Sequence, residues 1–344
     1  MKYMLLCCLA ACLLACNPKN ADLVYQPQSL ERQTTLQTIA FGSCNRQSSP
    51  QDMWRDVIAN DPDLWIWLGD NIYGDSEDMD VLEAKYQMQK SNQLYTQLRK
   101  TTPVVGIWDD HDYGVNDGDK TYAKKDESKE LMLNFLDVPP DAPVRQRRGA
   151  YQAYTFGPVG RQVKVILLDA RYFRDALQKG TGGQRYKPNP AGDILGDAQW
   201  AWLEEELTDS QAQLHLIGCG IQMIPEEHPF EKWANFPAAR QRLFDVLQKT
   251  KPAKAILLSG DRHIAEISKM ELPLLDYPLY DVTSSGMTHA YTGAGEEPNR
   301  HRVGALIKQK NFGILRIDWA GSRPIVTAEI RGLGNGLLLE RTLR

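Results

Sequence analysis

The chain has 344 residues, with 40 Lys and Arg against 44 Asp and Glu for a formal net charge of −4. No broad positive field gathers polyanions, which excludes a dedicated nucleic-acid binder. At 42% hydrophobic, 9% aromatic and 24% charged residues, the composition is that of a globular protein and excludes disordered, collagenous and disulfide-dense chains.

The chain opens with Lys2, an apolar run from Met4 to Ala15, and the polar segment Asn17-Pro18-Lys19-Asn20. The run is too short to span a bilayer; a basic start, short apolar core and small residues at a break read as a secretory signal. Leu13-Leu14-Ala15-Cys16 resembles a bacterial lipoprotein box. Residues 1–16 are therefore expected to be a signal peptide ending at a lipidated Cys16, giving an exported, membrane-anchored lipoprotein. Leu9-Ala10-Ala11-Cys12 is the competing box, with a very short apolar core. A chain starting at Cys16 keeps only Cys16, Cys44 and Cys219, too few to staple the fold with disulfides. Residues 17–37 are polar and read as a tether.

After the tether, short apolar runs alternate with helical patterns. The predicted strands are Thr38 to Ser43, Leu64 to Leu68, Val104 to Trp108, Val163 to Leu168, Leu214 to Gly218, Ala255 to Ser259, Tyr280 to Thr283, Phe312 to Ile317 and Ile325 to Ile330. The spacing predicts helices over Gln51 to Ala59, Val81 to Arg99, Ser128 to Leu136, Gly196 to Leu207 and Pro237 to Lys249. This β-then-α rhythm predicts an α/β layered fold with functional loops at the C-terminal ends of strands. No internal repeat and no Pro/Ser linker divides the body, so one domain is expected over 38–331, followed by a C-terminal tail at 332–344.

Polar, metal-capable residues follow these strands in clusters: Phe41-Gly42-Ser43-Cys44-Asn45, Gly69-Asp70-Asn71-Ile72-Tyr73, Trp108-Asp109-Asp110-His111-Asp112 and Ser259-Gly260-Asp261-Arg262-His263. Each ends an apolar run, so all of them can converge on one edge of a sheet. Scattered carboxylates are usually solvated loops, but clusters in register with strand ends are not explained that way.

The series Gly-Asp-x-x-Tyr, Asp-Asp-His-Asp and Gly-Asp-x-His resembles the calcineurin-like dinuclear metallophosphoesterase superfamily, and specifically its PhoD-like branch of alkaline phosphatases and phosphodiesterases. The PhoD-like character comes from Phe41-Gly42-Ser43-Cys44, Trp108-Asp109-Asp110-His111-Asp112, Leu168-Asp169-Ala170-Arg171-Tyr172-Phe173-Arg174, Gln199-Trp200-x-Trp202-Leu203 and Leu258-Ser259-Gly260-Asp261-Arg262-His263. The likeness runs from about Thr38 to Arg331. It implies a layered metallophosphoesterase fold, two mixed β-sheets packed together and flanked by helices.

Hydrolysing a phosphate ester needs a clamp on the phosphoryl oxygens and a hydroxide available near neutral pH, and a metal pair about 3.5–4 Å apart supplies both. A carboxylate must bridge the ions. Asp70 fits that place, because it ends its strand and Tyr73 follows three residues later. Phenolate and thiolate donors suit Fe3+ far better than Mg2+ or Ca2+, so Tyr73, Cys44 and His263 define a ferric side. The competing reading of Cys44 is a buried apolar thiol. Related sites offer Asn and His where this chain has Asp110 and Asp261, and hard anionic oxygens favour Ca2+, or else Mg2+ or Mn2+, over Zn2+. A mixed Fe3+ and Ca2+ centre is expected, as the PhoD resemblance also implies.

His111 follows a proposed ligand directly and is read as binding phosphate or protonating the leaving oxygen, with orientation of Asp110 as the alternative. Arg171 is placed as a catalytic fork on phosphate oxygens, against an Asp169–Arg171 ion pair. Many relatives place a His after the strand ending near Gly218; this chain reads Gly218-Cys219-Gly220-Ile221-Gln222-Met223, and Gln222 is the candidate amide ligand to the harder ion. A Cys44–Cys219 disulfide would compete with metal binding. His289 is read as a loop histidine able to line the cleft. The expected function is an exported, lipid-anchored metal-dependent hydrolase of phosphate mono- or diesters, resembling alkaline phosphatase D. A phosphodiesterase or phospholipase D-like main activity is the alternative. A serine esterase is excluded because no Gly-x-Ser-x-Gly occurs. The non-enzymatic alternative is a surface-anchored binding protein in which the same acids hold structural Ca2+.

Overall fold

The computed structural model describes residues 34–182, 185–293, 295–321 and 323–344. The predicted signal, Cys16 and most of the tether lie outside the described residues. The chain runs β1 (Thr38–Gly42), α1 (Met53–Ile58), β2 (Leu64–Leu68), α2 (Met79–Lys90), α3 (Gln93–Thr101), β3 (Val104–Ile107), α4 (Asp110–Tyr113), α5 (Lys125–Phe135) and α6 (Pro143–Gln146). It continues through β4 (Gln152–Phe156), β5 (Val163–Leu168), a short hairpin of β6 (Gln178–Lys179) and β7 (Tyr186–Lys187), α7 (Gly196–Leu207), β8 (Leu214–Cys219) and α8 (Pro237–Thr250). The remaining strands are β9 (Ala255–Ser259), β10 (Ala265–Met270), β11 (Leu279–Ser284), β12 (Phe312–Asp318), β13 (Ile325–Arg331) and β14 (Leu337–Leu343).

Among the described residues the long strands form two six-stranded sheets, ordered β14-β13-β12-β1-β2-β3 and β10-β11-β9-β8-β5-β4. In the first, β1, β2 and β3 are parallel and β12 to β14 form an antiparallel wing. In the second, β5, β8, β9 and β11 are parallel, with β4 and β10 antiparallel at the edges. Both sheets are mixed, as the PhoD resemblance implies.

Side-chain alternation decides which layer each strand residue joins. On β5, Val163, Val165 and Leu167 enter the core shared with the other sheet, while Ile166 and Leu168 face α7 and α8 in a second core. β9 repeats the pattern, with Ile256 and Leu258 inward and Ala255 and Leu257 outward. On β2, Leu68 reaches Gly218 of the opposite sheet. Trp65 and Trp67 instead pack on Trp54 of α1, with ring centroids 4.8 and 5.2 Å away. The parallel strands thus end side by side in two facing sheets, and the loops beyond them share one edge.

Two expected segments differ. The helix expected over Val81 to Arg99 is two helices, because the Asn92 side chain accepts the N–H groups of Leu94 and Tyr95 and starts α3 afresh. The expected tail at 332–344 carries β14, which pairs with β13 from Val326↔Leu343 to Arg331↔Leu337. Among the described residues no helix is long and apolar enough to cross a membrane.

Candidate metal centre

Sharp backbone turns bring the loop residues together at that edge. Cys44, Asp70, Asp261 and His263 have φ of 58°, 49°, 66° and 55°, a left-handed conformation that non-glycine residues rarely adopt. The loops are then stitched to one another. Asn45 N–H donates to Asp70 O at 2.9 Å. The Asp112 carboxylate accepts the N–H groups of Asp109, Asp70 and Asn71 at 2.7, 3.2 and 3.2 Å, joining the turns after β2 and β3. The two sheets close on each other through glycines. A Cβ at Gly220 would lie 2.4 Å from Asp109 Oδ1, and one at Gly260 would lie 2.5 Å from Leu68 O.

Three donor groups result, with ligand atoms within 4.8 Å of one another inside each: Cys44, Asp70 and His263; Asp70, Asp110 and His111; Asp109, Asp110 and Asp261. Asp70 is common to the first two and Asp110 to the last two. Tyr73 Oη lies 3.4 Å from Asp70 Oδ2 and 2.9 Å from His263 Nε2. Cys44 Sγ lies 3.4 Å from Asp70 Oδ2. The structure therefore gathers Cys44, Asp70, Tyr73, Asp110, Asp261 and His263 around one place.

The electrostatics of the cluster call for a cation. Burial, then the charges of Asp110, Asp112 and Asp261, pushes the Asp70 carboxyl well above its ordinary range. Burial does the same to Asp109 against the pull of Arg171, and burial and Asp110 raise Asp261 to about 7. Burial, with Asp70 and Asp261 nearby, holds the Cys44 thiol in its neutral form. Asp110 is the exception. Burial opposes its ionisation, but Arg171, His111 and the Asp117 N–H at 2.7 Å together lower it to about 2. Burial and neighbouring cationic groups lower His263 to about 3 and His289 to about 4, so both imidazoles are neutral and able to donate lone pairs. A crowd of acids, a thiol, a phenol and neutral imidazoles is a metal donor set, and filling it would release protons. The residues present fit such a group.

His111 is built differently. Its Nδ1 lies 2.6 Å from Asp75 Oδ1 and its ring packs at a tilt of 31° on Tyr73, with centroids 4.1 Å apart. Burial disfavours its charge, but the Asp75 hydrogen bond and Asp110 raise it to about 9, so it carries a proton at neutral pH.

Arg171 does not stand where its expected role requires. The Arg171 guanidinium is fully buried and committed to carboxylates: Nε and Nη2 lie 2.6 and 2.5 Å from Asp109 Oδ1, and Nη1 lies 2.8 Å from Glu231 Oε2. Arg174 Nε completes the network at 3.0 Å from Glu231 Oε1. Asp169 is not the ion-pair partner, for its Oδ1 accepts the N–H groups of Arg171 and Tyr172 and the Trp108 indole. The acids behind the cluster must be neutralised, and they capture the fork before phosphate could. Gln222 Nε2 donates to Glu266 and Thr283, both at 2.8 Å, within the polar layer between β10 and β11; its Oε1, the expected ligand atom, is buried without a hydrogen-bond partner, and Gln222 is not among the residues lining the cleft. Cys44 and Cys219 are both free, and Cys219 Sγ accepts the Trp233 indole N–H.

Two further side chains join the cluster: Asp109, which was not expected to be a ligand, and His289, which was expected only to line the cleft. Asp109 stands in the third group, and its Oδ2 is buried without a hydrogen-bond partner; it directly precedes Asp110 in Trp108-Asp109-Asp110-His111-Asp112. His289 Nε2 lies 2.9 Å from Tyr73 Oη, and its ring centroid is 4.4 Å from that of His263. The cleft over these groups has a volume of about 220 Å³. It is lined by Asp110, His111, Glu231, Asp261 and His263 together with Asn116, Asp117, Arg185, Phe230, Arg262 and Tyr291.

Comparison with known proteins bears on this geometry. The family model described as PhoD-like phosphatase matches residues 39–292. Alkaline phosphatase D of Bacillus subtilis (strain 168) is 23% identical over 287 residues, covering 68% of this chain and 47% of that protein. The chain thus spans about half the length of the curated relative it matches. Among solved structures, that of PhoD superposes with a TM-score of 0.72 at 16% identity, covering 90% of this chain and 69% of the other. GAP50, the anchor in the inner membrane complex of Plasmodium, gives 0.59 at 10% identity with coverages of 90% and 89%. A dimetal phosphatase from Danio rerio gives 0.55 at 11% identity with coverages of 90% and 99%. These structural likenesses show the fold.

Proposed function

The chain belongs to the PhoD-like phosphatase family, and on that premise we propose that it is a metal-dependent hydrolase of phosphate esters. The observation that carries the reading is the sharing of Asp70 and Asp110 between adjoining donor groups under an open cleft. Cys44, Tyr73 and His263 would hold Fe3+ on one side of Asp70, with His289 beside them. Asp110, Asp261 and Asp109 would hold Ca2+, or alternatively Mg2+, Mn2+ or Zn2+, on the other. Sulfur, phenolate and imidazole support the first assignment and oxygen-only donors the second. When bound, the ions supply positive charge at the phosphoryl oxygens and a hydroxide nucleophile near neutral pH.

The protein's own groups do the rest. Protonated His111, held by Asp75, lies in the cleft where it can bind a phosphoryl oxygen or give its proton to the departing alkoxide. Arg171 acts from behind: it fixes Asp109, and Arg174 holds Asp117 O and Gly118 O, the turn whose N–H grips Asp110. Export and anchoring through Cys16 belong to the same proposal and rest on the composition of residues 1–16 alone.

The test is release of nitrophenol from nitrophenyl phosphate and bis-nitrophenyl phosphate. Turnover of at least one ester, abolished by chelation and restored by Fe3+ with Ca2+, is the expected result. Failure to release nitrophenol from either ester in any metal would favour a metal-stabilised binding protein.

A further inference from the structure

The cleft continues from the acids onto an aromatic surface that the chemistry at the phosphorus atom does not use. Phe230 and Tyr291 line it and meet edge to face, with ring centroids 5.8 Å apart at 82°. Tyr291 is 39% exposed. A single exposed aromatic ring is ordinary on a protein surface, but this one is anchored to the donor set, since its N–H donates to His263 O at 2.7 Å. Phe230 is backed by the Arg262 guanidinium, 4.1 Å from its centroid, and Arg262 is itself buried and paired with Glu297 at 2.6 Å. Phe230 therefore keeps its place beside the cleft. Arg185 also approaches Phe230, at 5.6 Å, and pairs with Asp117 at 3.1 Å. Asp117 in turn donates its N–H to Asp110. Each side of the aromatic surface is thus one or two hydrogen bonds from the metal cluster, a short and fixed offset.

A phosphate ester placed with its phosphoryl group over the acids must carry its alcohol portion into the remainder of the same cleft. That remainder offers ring faces and a half-exposed guanidinium, both of which stack on planar π systems. A polyol there could bond Asn116 and Arg185 at the rim but would leave the two ring faces without a partner that stacks on them. We propose that Phe230, Tyr291 and Arg185 form a leaving-group subsite that takes a flat, aromatic alcohol portion of the ester. At about 220 Å³ the cleft is smaller than sites for drug-sized ligands, so the group it takes is one ring. This inference rests on the phosphoesterase reading and names the substrate class of that site.

The experiment compares phenyl phosphate with glycerol phosphate by phosphate release, using the full chain loaded with Fe3+ and Ca2+. Tyr291→Ala and Phe230→Leu should each raise KM for phenyl phosphate by about tenfold, the scale of one aromatic contact, with kcat near wild type. The same variants should leave KM for glycerol phosphate within about twofold, and Tyr291→Phe should restore the phenyl phosphate KM. Equal shifts for the two esters, or a shift for neither, would overturn the subsite while leaving the hydrolase reading intact. Absence of turnover of both esters by the wild type would overturn the hydrolase reading and the subsite with it.

Discussion

His111 and Asp110 are adjacent in the chain and opposite in charge, and their environments push them apart: His111 rises to about 9 while Asp110 falls to about 2. Such a split assigns the proton to the imidazole and leaves the carboxylate free to bind a cation. His111→Asn should lower turnover about 10²- to 10⁴-fold while metal content stays at the wild-type level. Loss of metal in that variant would make His111 a ligand instead. Much of this cluster was legible in the letters, because Cys44, Asp70, Asp110, Asp261 and His263 each stand within four residues of the end of an apolar run that reads as a strand. His289 was legible only as a loop histidine able to line the cleft, not as a neighbour of Tyr73. It follows β11 by a loop without a Gly-Asp signature, and only the packing of that loop on Tyr73 brings it in. The place of Arg171 differs from expectation for a related reason, since adjacency to a strand end says nothing about which buried carboxylate captures a side chain.

At the scale of elements, β8 carries a polar group deep in the second sheet. His215 is fully buried, with Nε2 2.8 Å from Ser210 Oγ and Nδ1 3.3 Å from Lys254 O. Burial lowers its pKa to about 4, below the ordinary value of about 6.5. The unfolded chain therefore binds the proton first, so the stabilisation is complete above about pH 6.5 and is lost as pH falls toward about 4. Between pH 7 and pH 5 this one group should cost about 2 kcal/mol of unfolding free energy. Denaturant melts should show a shallower loss over that interval in His215→Gln than in the wild type, whereas identical slopes would remove His215 as the cause. The elements also show where sequence patterning stops. The predicted central strands, whose residues are apolar on both faces, match β2, β5 and β9 at both ends. β4, β10 and β14 were missed, and each is a sheet edge. These three carry polar and charged residues, as Glu340-Arg341-Thr342 does in β14, and so lose the alternation that marks a half-buried strand, whereas the edge strand β3 is apolar and buried and was predicted.

For the whole molecule, the fold's task is to hold mutually repelling acids at the meeting line of two sheets. The parallel strands of each sheet point their C-terminal ends at that line, glycines at 220 and 260 let the sheets close, and the Arg171–Asp109–Glu231–Arg174 network braces the floor. Removing one partner of such a buried network strands a charge at about 3–5 kcal/mol. The layered α/β class was legible from the β-then-α rhythm, but the division of strands between two sheets came from the resemblance, since rhythm alone does not specify which strands pair. The most direct measurement is elemental analysis of the purified full chain beside its Asp70→Asn variant. The wild type should carry iron together with calcium, and Asp70→Asn should lose both, because Asp70 belongs to both sides of the centre. Zinc without iron in the wild type, or retention of both metals without the Asp70 carboxylate, would contradict a shared dinuclear centre.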